Sequence, residues 1–343
     1  MQSENFLKDH FSPSRTSIGL DIGNFSVKIA QIKKRHFFKE RFLSFAVVPI
    51  QGERSRDKVV ETIRKAYGNV RAESRKVNIS ICGPNIIMRY ITLPIMKKKD
   101  LFQSLEFELE RYIPYKKEEV VVDSHILANL PNGKMVVLIV AAEHRIIEER
   151  ISLIKDSGLE PQLINVDALA LTEAFKITFP FYKGVVALLD IGYRTSKFVV
   201  MENTIPYFSR DIEIGLFEII QAISAKTGVE FDPNKESSSD SNKEETVKEL
   251  REAIRPVLDS LLNELFLCLE YCERNLGKRV EQLYLSGGGS TNKALIESLK
   301  EIPDLKIDFW EPTRGFKVTS PPTTEEVRKY SSLLGVAIGL ALS

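Results

Sequence analysis

Two stretches of this sequence share the pattern D-I-G-x-x-x-x-K: DIGNFSVK at 21–28 and DIGYRTSK at 190–197. Each lies between two apolar, strand-forming segments. Glycine at 23 and at 192 permits a tight turn where backbone N–H groups converge with no Cβ in the way, which suits phosphate oxygens. An aspartate at the strand end, Asp21 or Asp190, can orient a hydrated divalent cation or a water beside those phosphates. A third stretch, SGGGS at 286–290, follows a strand pattern and precedes a helical one, so its backbone can approach a flat ligand and offer helix N-terminal N–H groups. It is not a P-loop, because the Gly-Lys-Ser/Thr ending is absent, and Thr291 and Asn292 break a G-x-G-x-x-G reading. Either turn alone also reads as an ordinary hairpin. Their recurrence 169 residues apart, about half the chain, is what two related domains facing across a cleft and clasping a polyphosphate would show.

Other reactive side chains form no such pattern. Asp167 and Glu173 lie on a helical stretch between the halves, where an acid could position a water near a γ-phosphate or serve simply as a cap or surface residue. No convincing catalytic base stands out. His125 and His144 read as partly buried strand-end residues at least as well as functional ones, and no partner residue at a telling spacing raises either. Cys82, Cys268 and Cys272 make no CxxC pair and no zinc-type array, and the last two read as buried helix residues of a reducing compartment.

The elements that must position these groups belong to an ordinary globular chain. With 343 residues, two or three domains are expected. A hydrophobic content of 43% with 28% charged residues argues against wholesale disorder and coiled coil. The formal net charge of +1 supplies no global field for nucleic acid, and no nucleic-acid partner is expected. The start, MQSENFLKDHFSPSRTS, lacks a basic n-region and an apolar h-region, so secretion is not expected. MVVLIVAA and LLGVAIGLAL fall short of the roughly 20 apolar residues of a bilayer span.

Read along the chain, 17–32 is a hairpin, RFLSFAVVPI a third strand, DKVVETIRKAYG a helix ending at Gly68 and KVNISICG a further strand. RYITLP is strand-like, and DLFQSLEFELERYI carries Leu105, Leu109 and Ile113 on a helix stopped by Pro114. EVVVDSHILANL and KMVVLIVAAE pair across Pro131, Asn132 and Gly133, making a compact α+β insert. A helix at 145–157 ends at Gly158, LEPQLINVD is a strand and ALALTEAF opens a helix. The pattern then resets with GVVALLDIGYRTSKFVVMEN and IPYFSRDIEIG. The polar loop 232–245 precedes a long helix whose core stripe is Leu258, Leu261, Leu262, Leu265, Leu269 and Cys272, with Pro256 a kink point. VEQLYLS, the glycine run and TNKALIESLK follow, and TTEEVRKYSSLLGVAIGLAL reads as one terminal helix opened by Thr323 or Thr324, with small residues suited to close packing.

The order of first turn, second turn and glycine loop resembles the actin-like ATPase superfamily. The stretches GLDIGNFSVKIAQI, RYITLPIMKKKDLFQSLEFELERYIPYKKEEVVVDSHIL, VVLIVAAE, SGLEPQLINVDALALTEAF, RDIEIG, LSGGGS and LLGVAIGLAL more closely resemble the PilM family of type IV pilus assembly proteins, relatives of the division protein FtsA. The R-x-I-x-L-P through E-x-E-x-x-Y-I-P stretch is the part specific to that branch. The resemblance implies an actin-like (ribonuclease H-like) two-domain α/β ATPase fold with an inserted α+β subdomain. Its boundaries would be an arm at 1–16, a first subdomain at 17–88 completed by 158–183 and 324–343, the insert at 89–157, and a second domain at 184–323. The second domain would include a nucleotide-flanking helical subdomain at about 214–277.

The resemblance also implies a site. Asp21, Gly23, Asn24 and Ser26 fall on the first phosphate turn, with Lys28 closing its pattern. Asp190, Gly192, Arg194 and Thr195 fall on the second, and Gly287, Gly288 and Gly289 on the adenosine loop. ATP and Mg2+ are the implied cofactors, with Asp21 and Asp190 reaching the metal through water and hydrolysis weak or absent. Asn24 and Phe25 depart from the small hydroxyl residues usual after the first D-I-G. Glu230, Lys235 and Glu236 stand where a Glu and Lys pair near the adenosine is usual.

The implied partner is a PilN-like bitopic inner-membrane protein, whose cytoplasmic tail the insert would hold at its edge with the first subdomain. Tyr90, Leu93, Ile95 and Met96 are the apolar candidates, with Lys97, Lys98, Lys99, Lys116 and Lys117 as a basic rim; the other reading makes the four apolar residues insert core. Self-association and other pilus components remain open. The protein would be cytoplasmic and peripheral to the inner membrane, without insertion, since the chain stops at Ser343 just after the terminal helix. The alternatives are a related scaffold of type II secretion or cell division and, less favoured, a small-molecule kinase of the same superfamily.

Overall fold

The structure is a computed structural model that describes residues 15–34, 40–108, 111–228, 244–277, 279–319 and 322–343. The loop expected at 232–245 and the residues Leu109, Glu230, Lys235 and Glu236 lie wholly or mostly outside these ranges. Strands β1 (Arg15–Ile22), β2 (Ser26–Lys34) and β3 (Arg41–Pro49) form an antiparallel meander. Helix α1 (Arg56–Asn69) opens on Ser55, whose side chain accepts from Lys58 N–H, and buries Val59, Val60, Ile63 and Ala66 along one stripe. Strand β4 (Lys76–Ile81) then runs parallel to β1. The insert comprises β5 (Ile86–Pro94), α2 (Lys98–Glu108), β6 (Val120–Asn129) and β7 (Lys134–Glu143), followed by α3 (His144–Asp156). Strand β8 (Glu160–Val166) and helix α4 (Asp167–Thr178) come next.

The second half repeats the plan. Strands β9 (Val185–Ile191), β10 (Ser196–Glu202) and β11 (Ile205–Ile212) are an antiparallel meander. After α5 (Leu216–Thr227) and α6 (Glu244–Leu276), β12 (Gln282–Ser286) lies parallel to β9. Helix α7 (Lys293–Leu299) leads to β13 (Lys306–Phe309), parallel to β12, and then to β14 (Lys317–Val318), α8 (Thr324–Tyr330) and α9 (Gly335–Leu342). The sheet orders are β14-β3-β2-β1-β4-β8, β11-β10-β9-β12-β13 and, in the insert, β5-β7-β6. In both large sheets the first strand of a meander is central, the next two lie outward on one side, and a later parallel strand starts the other side. That shared order is the three-dimensional form of the repeat at 21–28 and 190–197.

By its contacts the chain divides into a unit of 1–80, 153–180 and 311–343 and a unit of 81–152 and 181–310. In the first, Ile18, Leu20, Val27 and Ile29 pack with α1 and with Ile154 and Leu159. The small residues of α9 allow it to lie against β1 and α4: a Cβ on Gly19 would collide with the Ala337 carbonyl, and one on Gly339 with the Ala170 carbonyl. Asn78 Nδ2 fixes the same helix by donating to Leu340 C=O at 2.8 Å. In the second unit, α6 presents Leu258, Leu261, Leu265, Cys268 and Cys272 to the sheet and continues through Pro256. The insert has its own core of Leu101, Leu105, Ile113, Met135, Val137 and Ile139.

Two sequence expectations change and two short strands are added. The terminal helix is two helices, because Ser331, Ser332 and Gly335 are poor helix formers and Ser331 Oγ bonds with Thr313 Oγ1 at 2.6 Å in the core. Ile113 is buried beyond α2, not on it. Strands β13 and β14 carried too few residues for a period to be read. Among the described residues no helix is long and apolar enough to cross a membrane.

Candidate functional site

The two D-I-G turns have one backbone design. Gly23 N–H donates to Ser26 C=O at 3.1 Å and Gly192 N–H to Thr195 C=O at 3.2 Å, closing each hairpin. A Cβ at Gly192 would meet the Thr195 carbonyl at 2.5 Å, and one at Gly23 would meet Ser26 C=O at 3.0 Å. The hairpin register sets Asp21 opposite Lys28 and Asp190 opposite Lys197. The seven-residue spacing from Asp to Lys is therefore a cross-strand pairing.

Both carboxylates are engaged. Asp21 is paired with Lys28 at 3.0 Å, and both side chains are largely buried. Asp190, equally buried, accepts from Ser286 Oγ at 2.8 Å, a residue of β12 that lies beside it in the parallel register.

The second turn is backed by α5. Leu216 and Phe217 at its first turn donate their N–H groups to the carbonyls of Gly192 and Tyr193, at 3.1 and 2.7 Å. A trans peptide points its N–H opposite to its C=O, so the N–H groups of Tyr193 and Arg194 face away from α5. Two aligned donors with a helix N-terminus behind them favour an anion. Gly215 lets the helix come this close, since a Cβ there would sit 2.5 Å from Tyr193 C=O. Arg194 extends over the Phe217 ring, 3.9 Å from its centroid, and Thr195 lines a cavity of about 420 Å³ with Gly83, Arg210, Asp211 and Glu264. The signal for the buttress was the RDIEIG segment.

The glycine run is only half open. Gly287 has φ +83° and a Cβ there would collide with the Ile191 backbone, while one on Gly289 would collide with the Ile191 side chain. Both are buried, and Gly288 is half-buried. A 3-10 turn, Gly288–Thr291, separates the run from α7, whose N-cap is Asn292. The helix N-terminus therefore does not sit on the glycines, as the sequence had suggested. Asn24 is exposed, Ser26 is buried at the start of β2 and Arg194 is exposed.

Asp167 is a buried first-turn acid of α4, and Glu173 pairs with Lys176 at 2.8 Å on its surface. His125 and His144 are exposed rather than partly buried. Cys268 and Cys272 are buried, and burial pushes their thiols up to about 11 and about 12. Among the described residues no group of three His, Cys, Asp or Glu side chains could hold a metal. One carboxylate per turn fits a cation held chiefly by phosphate oxygens and water.

On the insert, Leu93 and Met96 pack on its core. Tyr90 faces β11, with its hydroxyl 3.2 Å from Ser209 Oγ, and burial pushes its phenol up to about 12. Asp211 Oδ2 accepts from Gly83 N–H at 2.9 Å on the same side. Ile95 is exposed, as are Lys97, Lys98, Lys99 and Lys116. The Lys117 side chain lies outside the described residues.

A sequence model of the family described as type IV pilus assembly protein PilM matches residues 19–343. A solved PilM-PilN type IV pilus biogenesis complex is similar at 24% identity with a TM-score of 0.79, over 95% of this chain and 97% of that one. The ethanolamine utilization protein EutJ from Carboxydothermus hydrogenoformans is similar at 13% identity with a TM-score of 0.52, over 99% of this chain and 97% of that one. With the doubled sheet order, the fold is actin-like with an inserted α+β subdomain.

Proposed function

This chain belongs to the type IV pilus assembly protein PilM family, and from that premise we propose that it is a nucleotide-binding scaffold of the pilus assembly complex at the cytoplasmic face of the inner membrane. Its insert takes the cytoplasmic tail of a PilN-like bitopic protein. The observation that carries the partner reading is the family match running through the insert, together with the fold shared with a PilM-PilN complex. Among the described residues the outer strands β5 and β6 each have one neighbour in their sheet, so an extended tail can add along a strand edge. Leu93 and Met96 would shape that edge from the core, and Tyr90 would hold the insert to β11.

The nucleotide is ATP, and Mg2+ would supply charge neutralisation at its phosphates. Asp21 and Asp190 would orient waters of that ion; Gly23, Asn24, Ser26, Lys28, Gly192, Arg194 and Thr195 would hold phosphate, and Gly287, Gly288 and Gly289 would lie near the adenosine. The aligned N–H groups of Tyr193 and Arg194, backed by α5, support the phosphate assignment. Glu173 is engaged by Lys176 and Asp167 is buried at the first turn of α4, so neither candidate acid is poised as a base, which favours turnover far below the roughly 1–100 per second of kinases.

Titration of a labelled PilN-like tail with the full chain, followed by fluorescence anisotropy, tests the scaffold reading. Saturable binding is expected, and no binding at micromolar protein would overturn it. Calorimetry with ATP, with and without Mg2+, tests the nucleotide reading separately.

A further inference from the structure

One end of the insert concentrates positive charge beside exposed apolar side chains. Strand β5 ends at Pro94, which lies opposite Lys134, the first residue of β7. Ile95 N–H then donates to Gly133 C=O at 3.0 Å, and the chain passes through Met96 and Lys97 into α2. The end of β5, the turn before β7 and the first turn of α2 thus share one end of the insert. Lys97, Lys98, Lys99 and Lys134 are all exposed there. In 92–105 and 126–136 the only acid is Asp100, so four lysines less one aspartate leave +3, in a chain whose total is +1. Among the described residues none of these four ammonium groups pairs with a carboxylate.

Two large apolar side chains stand in the same place. Ile95 is 52% exposed and Phe102 61% exposed. The core beneath is supplied by Leu93, Met96, Leu101 and Leu105, so neither is needed to fill it. Lys98 and Lys99 precede Phe102 by four and three residues, which puts all three on one face of α2.

We propose that this end of the insert docks on an anionic lipid bilayer, with the four lysines at acidic headgroups and Phe102 and Ile95 entering the interfacial layer. Reversible membrane binding takes two signals, an apolar insertion and a basic cluster, and both are present. The cations are all lysines, point charges that need no fixed partner geometry, and no guanidinium is present to read a carboxylate bidentately. The two apolar groups come from separate elements and protrude, so a soft surface accepts both where a protein partner would need two fitted pockets. The inference stands whether or not the chain binds nucleotide or a PilN-like tail.

Co-sedimentation of the full chain with vesicles of phosphatidylcholine, with and without phosphatidylglycerol, tests it. Binding is expected only with phosphatidylglycerol, with release as salt rises. Lys98→Glu combined with Lys99→Glu should lower the partition at least about tenfold, and Phe102→Ser several-fold. Lys300→Glu combined with Lys306→Glu, the same charge change at exposed sites elsewhere, should leave it unchanged. Trp310 is the only tryptophan and is buried, so Phe102→Trp adds a clean reporter whose emission should shift to the blue on anionic vesicles. Absence of phosphatidylglycerol-dependent binding, an unchanged partition in the double lysine variant, or no emission shift would overturn the proposal. Binding to poly-glutamate without binding to vesicles would also overturn it and give the patch to an acidic protein segment.

Discussion

The two D-I-G turns share a sequence pattern and a hairpin register, yet they are held differently. The first is largely local: Lys28 covers Asp21 from the adjacent strand, and Ile50 N–H at the end of β3 donates to Phe25 C=O at 2.8 Å. The second is held from far along the chain, by Leu216 and Phe217 of α5, by Ser286 of β12 and by the close approach of Gly287 to Ile191. A duplicated motif can keep its backbone while its supports move from the adjacent strands to distant elements. Asp21 takes its cation from the adjacent strand, and Asp190 counts among its partners a hydroxyl from far along the chain.

The largest effect should come from the supports of the second turn. Gly287→Ala combines a left-handed φ with a backbone collision, and a loss above about 3 kcal/mol is expected. Gly23→Ala meets the flexible end of Lys28 and only a marginal 3.0 Å approach to the Ser26 carbonyl, and should cost about 1 kcal/mol. Denaturant titration followed by Trp310, which lies in the second unit, and by circular dichroism would compare them. Equal costs would break the contrast between a local and a buttressed turn.

Lys28→Met should cost about 2 kcal/mol by leaving Asp21 largely buried without its cation, and adding Asp21→Asn should recover much of it. Ser286→Ala should cost about 1–2 kcal/mol, because Asp190 loses one buried donor. A neutral Lys28→Met would show that the ion pair does not hold the first turn.

The smallest effects concern pH and divide between the units. Tyr90, Cys268 and Cys272 lie in the second unit, and burial raises each. A raised acid favours the folded state while protonated. That stability is full below the ordinary values of 9.0 for the thiols and 10.0 for the phenol and is lost as pH climbs through about 11 to 12. In the first unit Glu73 is held low by its hydrogen bond from Lys33, and Glu326 by the Thr323 N–H. Their stabilisation is present above the usual carboxylate value and fades as pH falls through the lowered one, weakly because both are exposed. Alkaline titration should thus loosen the second unit first. At neutral pH a thiol reagent should label Cys82 well before Cys268 and Cys272.

The sequence by itself determined the hairpins, the doubled turn and the core stripe of α6, because these rest on local periodicity, on glycine and on turn chemistry. Period-two alternation in RYITLP assigns residues to faces of β5 but does not say which face is covered. Only packing decided that Leu93 and Met96 join the insert core, that Tyr90 meets Ser209 and that Ile95 stays in water. The break between α8 and α9 likewise needed Ser331 to find Thr313. Lys28 beside Asp21 and Ser286 beside Asp190 separate the two levels most clearly. The hairpin register that opposes Asp21 and Lys28 is set within eight residues, whereas Asp190 meets Ser286 only because β12 returns beside β9, and no local pattern encodes a neighbour 96 residues away.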